Sequence, residues 1–449
     1  MKLLKIVTVL LFAAVIAVPL CFFNTTPDAV SEIDNRKLAC NPFEASGDLT
    51  GNIEKYITDR IGLRDEAITA YTILNDRLFS KMVHPSYSYG KDGYVFGAGL
   101  STDIEFGEYH IAFADMVADI QKYCEERNVP FLFVFNPAKP AVYQEKIGDG
   151  INYNRDWVDA FLAELDKRGV TYLDNTETLT ALKEQGVQTF NQKYDANHWN
   201  DLGAFYGTQA MLKKLSEQSD NIHINQLDEF NVREQLQTSL QVSKFPIEER
   251  VPSLGLRVTT KDLYNEYFPE LQIHPSYKGF GYQINNASAV EDTPKALVFQ
   301  GSYMNAYGYK YLRNAFKEYI HVHDYQNVIN FPYYFNIFQP ECVIFEVAEY
   351  TLNNGYFDYK NMCNIDYNPA LATVSETTNI AVERENITVE KGNTLTTITW
   401  HTEQAYPYVW MALDNTYDMQ KVKDGYQVTV ETTRYEAAKD SMEITVYAG

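Results

Sequence analysis

Asp195, His198 and Ser302 are the residues whose types and spacing could do chemistry in this chain. Asp195 precedes His198 by three positions within Tyr194–Gly207 (YDANHWNDLGAFYG), so one loop can carry both a general base and the carboxylate that orients it. Ser302 lies well downstream in Phe299–Asn305 (FQGSYMN), directly after the apolar run Ala296–Phe299. A serine hydroxyl is a weak nucleophile until an imidazole takes its proton and an acceptor fixes the other ring nitrogen. The chemistry would therefore be nucleophilic catalysis through a covalent serine intermediate. Structural roles compete with it: Ser302 can cap a helix, and His198 can pack against Trp199.

The elements around these residues must hold them at a cleft. Val129–Phe135 is a continuous apolar run of strand length ending at Asn136-Pro137, and absence of alternation predicts a strand covered on both faces. A helix precedes it across Tyr109–Arg127. A helix at Asp156–Arg168, a strand at Val170–Leu173 and helices at Thr176–Gln185 and Asp201–Leu215 follow. Lys295–Phe299 resumes the strands and delivers Ser302, Asn305–Tyr319 reads as helix, and Cys342–Val347 is another buried strand followed by Glu349. Such alternation predicts an α/β fold built on a doubly wound, mainly parallel sheet with flanking helices. Gln226–Asp292 is polar and unassigned, and is expected to be an insertion at the site end of the sheet.

Outside this region, Lys2 and Lys5 precede the uncharged run Ile6–Phe23, which has the length of an export signal or a single membrane span. The positive-inside rule then places the remainder outside the cytoplasm. The reading favours an uncleaved anchor over residues 1–27, although Val15-Ile16-Ala17 offers a small-residue cleavage site. Asn24–Asp48 reads as linker, and Leu49–Phe79 as two helices broken at Gly62. Tyr89–Phe96 reads as a hairpin around Lys-Asp-Gly. From about Tyr367 short Thr- and Val-rich alternating runs predict a small C-terminal all-β domain, with Trp400 and Trp410 as candidate glycan contacts. The expected division is 1–27 signal anchor or signal peptide, 28–88 linker and helices, 89–366 main domain with 226–292 inserted, and 367–449 β-domain.

A formal charge of −22 argues against nucleic acid, because phosphate binding needs clustered Lys and Arg. Five widely spaced cysteines with no CxxC pair argue against a metal or thioredoxin-like site, and an odd count leaves at least one thiol unpaired. No cofactor and no metal are expected.

Seven segments, in order, resemble one family: IDNRKLA (Ile33–Ala39), YITDRIGLRDEAI (Tyr56–Ile68), YGKDGYVF (Tyr89–Phe96), FNPAKPAVY (Phe135–Tyr143), DANHW (Asp195–Trp199), GSY (Gly301–Tyr303) and PECVIFEVAEYTL (Pro340–Leu352). The pattern is similar to that of the SGNH-hydrolase-like alginate O-acetyltransferases AlgJ and AlgX and their DHHW relatives. The resemblance implies an SGNH-hydrolase-like fold outside the membrane, acting on acyl esters of a surface polysaccharide. It also implies a membrane-bound partner of the MBOAT class as acetyl donor. Ser302 matches the nucleophile, His198 the base and Asp195 the orienting acid. Two departures stand out. The usual Asp-x-His-Trp is here Asp-x-x-His-Trp, so Asp195 reaches from one residue further back or Asn197 takes part. The usual Gly-Asp-Ser is Gln300-Gly301-Ser302. A third difference is Tyr350, which follows Glu349 where the family commonly has arginine.

Within this reading Ser302 forms an acetyl-serine and its own N–H, at a helix start, faces the developing oxyanion. Asn136 is a candidate second oxyanion donor, or a turn residue before proline. Trp199 and Tyr303 could stack on a sugar, although core packing explains them as well. Lys139, Glu346 and Glu349 read as structural. Two alternatives stay open: an acetylesterase using the same triad with water, and a non-catalytic glycan-binding protein.

Overall fold

The computed structural model describes residues 2–447 apart from 32, 34, 35, 80, 83, 85, 98, 100–103, 242–244 and 382. Its centre is a seven-stranded sheet. In chain order the strands are β1 (Phe131–Asn136), β2 (Tyr172–Asp174), β3 (Thr260–Asp262), β4 (Phe280–Asn285), β5 (Ala296–Gln300), β6 (Glu318–His323) and β7 (Cys342–Ala348). In space they run β2-β1-β7-β5-β6-β4-β3. The first five in that order pair in parallel, whereas β4 joins β6, and β3 joins β4, antiparallel. The fold is the expected SGNH-like α/β arrangement with flanking helices.

The apolar runs are continuous because both faces are covered. Phe131, Phe133 and Phe135 of β1, Leu297 and Phe299 of β5, and Val343, Phe345 and Val347 of β7 point to one side. There they meet Phe113, Val117 and Ile120 of helix Glu108–Glu125, Phe161 of helix Asp156–Lys167, and Phe331 and Phe335 of helix Phe331–Phe338. Their neighbours Leu132, Val134, Ala296, Val298 and Ile344 point to the other side, against Leu179, Phe205, Leu212 and Leu312. Each of these side chains larger than alanine contributes roughly 1.5–3 kcal/mol on burial. Helix Asp201–Leu215 lies close to the loop before it because Gly203 and Gly207 carry no Cβ. One placed at Gly203 would collide with the carbonyl oxygen of Thr189, and one at Gly207 would stand 2.5 Å from the Trp199 ring.

Two stretches depart from expectation. The predicted helix Asn305–Tyr319 ends at Ala315, and Glu318–His323 forms β6 instead, since its register beside β5 buries Ile320 and Val322. Gln226–Asp292, unassigned in the sequence, supplies β3 and β4 to the sheet edge. It also forms a long hairpin, Phe230–Ser239 with Pro246–Leu256, so only part of it stands outside the sheet.

At the N-terminus, helix Lys2–Cys21 is exposed, with a mean hydropathy of 2.5 over Leu4–Cys21. By length and composition it can cross a membrane. Helices Leu49–Arg60 and Arg64–Phe79 break at Gly62, whose N–H donates to Pro19 O at 3.0 Å and where a Cβ would collide with the Phe22 backbone. The expected linker carries one short strand pair, Val30–Ser31 with Arg36–Lys37. The Lys-Asp-Gly hairpin forms as Tyr87–Tyr89 against Val95–Gly97, with Asp92 and Gly93 both at positive φ. All five cysteines are unpaired.

The C-terminal region, expected to be all-β, consists of two four-stranded antiparallel sheets around a separate core that includes Ile398, Trp400, Met411 and Val428, together with one short helix, Thr432–Ala438. Trp400 and Trp410 are buried, and Trp410 Nε1 donates to Pro369 O at 3.0 Å, so these indoles fill structure and are not free to stack on a glycan. The region is stitched to the main domain through Asp418, which pairs with Arg127 at 2.8 Å and also accepts from the Tyr123 hydroxyl.

Candidate active site

Strands β1, β5 and β7 lie side by side and end at the same edge, so Asn136, Ser302 and Glu349 are delivered to one place. This is the edge at which open α/β sheets hold ligands. Ser302 opens the helical segment after β5, which passes through a π turn at Met304–Gly308 and continues as helix Tyr309–Ala315. The serine turn is braced from below. Glu346 of β7 is fully buried and accepts from Gly301 N through Oε2 at 2.8 Å and from Asn136 Nδ2 through Oε1 at 2.7 Å. A second buried carboxylate, Asp324, lies on the same side, since a Cβ at Gly301 would stand 3.5 Å from its oxygens and 3.7 Å from Glu346 Oε2. Burial, with the Asp324 charge adding to it, pushes the Glu346 carboxyl up to about 8.

The loop carrying His198 is held by its own backbone. Asp195 Oδ1 accepts from the N–H groups of Asn197 and His198, each at 3.0 Å, while Oδ2 lies 3.0 Å from His198 Nδ1. The extra residue between aspartate and histidine is therefore absorbed in a tight side-chain turn, and the pair forms. Burial alone would raise the Asp195 carboxyl. The imidazole and the backbone N–H donors outweigh it and hold the group below the ordinary carboxylate value. Lys139 fastens the loop beneath: its buried ammonium donates to the carbonyls of Val95 at 2.7 Å, Gln192 at 3.1 Å and Asp195 at 3.1 Å. Burial lowers its pKa to about 7.

Ser302 and His198 face each other across a third side chain. The Tyr350 hydroxyl is 2.5 Å from Ser302 Oγ and 3.3 Å from His198 Nε2, so Asp195, His198, Tyr350 and Ser302 form one continuous hydrogen-bonded line. Tyr350 is fixed by its neighbour. Glu349, at the head of the short turn Glu349–Thr351, accepts from Arg155 Nε at 3.0 Å, from the Tyr153 hydroxyl at 2.9 Å and from Ala138 N at 3.0 Å. Sequence reasoning notes Tyr350 only as the replacement of an arginine. Its approach to Ser302 depends on β7 lying beside β5, which no local pattern reveals.

Three other expectations are corrected. Asn136 does not aim its amide at the serine, because Nδ2 is engaged by Glu346, Oδ1 accepts from Asn175 Nδ2 at 2.8 Å and the residue has no exposed surface. It is a strut under the serine turn. Trp199 is wholly buried, with Nε1 donating to Tyr303 O at 3.0 Å. Tyr303 is equally buried, its hydroxyl lying 2.8 Å from Pro137 O and 2.7 Å from Asn197 O. Neither ring can stack on a sugar; together they lock the serine helix to the histidine loop. Lys139, Glu346 and Glu349 have the structural roles expected of them.

With this geometry in view, the comparison with known families is specific. Residues 89–244 match the family described as ALGX, SGNH hydrolase-like domain, acetyltransferase AlgX. The AlgX-like stretch contains Asn136, Lys139, Asp195 and His198, whereas Ser302 and Tyr350 lie beyond it. Among solved structures the chain is similar to Bacillus cereus PatB1 (18% identity, 60% of this chain and 97% of that one, TM-score 0.45). It is also similar to the O-acetyltransferase domain of Pseudomonas putida AlgJ (14%, 62% and 98%, 0.43) and to Pseudomonas aeruginosa AlgX (12%, 81% and 90%, 0.40). No curated protein matches the chain.

Proposed function

We propose that this protein is an extracytoplasmic O-acetyltransferase that carries acetyl on Ser302 and passes it to a hydroxyl of a cell-surface or exported polysaccharide. The observation that carries this reading is the line Asp195–His198–Tyr350–Ser302 at the C-terminal edge of the sheet. Asp195 keeps the proton on His198 Nδ1, which leaves Nε2 as the base at the far end of the line from Ser302. The serine oxygen then attacks the acetyl carbonyl carbon, the donor's leaving group departs with a proton, and an acceptor hydroxyl reverses the sequence. The position of Ser302 at a helix start supports backbone N–H groups as donors to the developing oxyanion. The AlgX-like match over residues 89–244 supports acetyl transfer, and the apolar N-terminal helix supports anchorage at a membrane. The acetyl donor in this reading is a membrane-bound protein of the MBOAT class, as the family resemblance implies.

The test supplies the full-length protein with an activated acetyl ester and polysaccharide from the producing cells, then separates glycan-bound acetyl from free acetate. Glycan acetylation that disappears in Ser302→Ala is the expected result. Release of acetate alone, unaffected by glycan, would make the protein an esterase.

A further inference from the structure

The side chain between nucleophile and base raises a question of direction. Every proton in the line can be assigned. His198 Nδ1 lies 3.0 Å from Asp195 Oδ2, and a carboxylate only accepts, so Nδ1 carries the hydrogen, and in the neutral imidazole that a general base must be, Nε2 holds the lone pair. Nε2 can then only accept, so the Tyr350 hydroxyl donates to it across 3.3 Å. With that hydrogen committed, the phenolic oxygen has lone pairs for Ser302, and the serine donates to it at 2.5 Å. All donors point the same way, from serine through tyrosine and histidine to aspartate.

Resting on the acetyl-serine reading above, we propose that Tyr350 is a catalytic residue of this chain that relays the Ser302 proton to His198. As the serine oxygen bonds to the acyl carbon, its O–H breaks and a new O–H forms on Tyr350. In the same event the hydrogen that Tyr350 held passes to His198 Nε2. Tyrosine ends neutral, imidazole ends as imidazolium paired with Asp195, and no other reactant is needed. Burial pushes the Tyr350 phenol above its ordinary value, so it remains a neutral donor and acceptor throughout the working range. The ring is held in place for this role. It packs edge-on against His198 with ring centres 6.5 Å apart and beside Tyr303 at 6.1 Å, while Glu349 next to it is bound by Arg155, Tyr153 and the Ala138 backbone.

The experiment follows the burst of 4-nitrophenolate as 4-nitrophenyl acetate acetylates the full-length protein, in H2O, D2O and their mixtures. For the wild type, a rate that depends on the deuterium fraction along a curve is expected, because two protons move together. Tyr350→Phe keeps the ring and should acetylate Ser302 about 100-fold more slowly or worse, with half-saturating ester concentration unchanged, any residual rate following a straight line. A rate in the Tyr350→Phe variant equal to or above that of the wild type overturns the relay and makes the hydroxyl an occluding group, while leaving the acetyl-serine reading intact. A straight-line dependence in the wild type overturns it without recourse to a variant. No acetylation of the wild type at all overturns the acetyl-serine reading, and the relay with it.

Discussion

Glu249 Oε2 lies 2.7 Å from the backbone nitrogen of Tyr194, so a residue on the hairpin strand Pro246–Leu256 holds the loop that presents Asp195 and His198. The same carboxylate accepts from Lys193 N at 2.8 Å and from Gln192 N at 2.7 Å. Three consecutive N–H groups thus converge on one side chain. Glu249→Ala leaves them without that acceptor, and it should cost about 2 kcal/mol in denaturant unfolding. It should also slow acetylation of Ser302 by about 10-fold through misplacement of the base, although Glu249 touches neither serine nor histidine. Wild-type stability and labelling rate in this variant would show that the hairpin is not what positions the loop.

The buried pair beneath the serine predicts a pH dependence of stability. Glu346 ionises near 8 in the folded chain against an ordinary value of 4.5. Between these values the unfolded chain has released its proton and the folded chain has not, so the stabilising contribution is complete below 4.5 and is lost as pH rises through 8. Asp324→Asn removes the neighbouring charge that helps to raise Glu346, so the fall in melting temperature between acid and mildly alkaline pH should be shallower than in the wild type. Parallel curves for the two proteins would rule out the coupling.

Asp418 tests how firmly the C-terminal sheets are joined to the main domain. Arg127 and Asp418 are both largely buried, at 14% and 5% side-chain exposure, and Asn336 Nδ2 donates to the Asp418 carbonyl at 2.8 Å. Asp418→Ala leaves the largely buried guanidinium without its carboxylate, with the carbonyls of Tyr123 and Asn368 as its remaining acceptors, and should cost about 3 kcal/mol. A two-probe urea titration, following the main-domain core and the tryptophans of the β region, should show both transitions moving together. Movement of the β-region transition alone would mean that the regions unfold independently.

Much of this architecture is legible in the sequence wherever one segment carries the whole signal. The runs at Val129–Phe135 and Cys342–Val347 read as strands because both faces are apolar, and the pattern of Asp201–Leu215 bounds its own helix. The Asp195–His198 pairing is local too, since a side-chain turn can close across two intervening residues. What the sequence hides depends on partners far along the chain. Asn136 resembles an oxyanion donor until Glu346, brought beside it by strand pairing, takes its amide. Trp199 looks like a sugar platform until the tight approach of Gly207 and Gly308 encloses it, and Tyr303 until its hydroxyl is taken by the carbonyls of Pro137 and Asn197. Tyr350 looks like a simple replacement until β7 places it on Ser302.

Peptide mass spectrometry after incubation with an activated acetyl ester tests the central claim most directly. The account predicts one acetyl group on the peptide containing Ser302, absent in Ser302→Ala and reduced by about 100-fold or more in His198→Ala, because nucleophile and base act as a unit. Acetyl found on another residue, or the same labelling in Ser302→Ala as in the wild type, would contradict it.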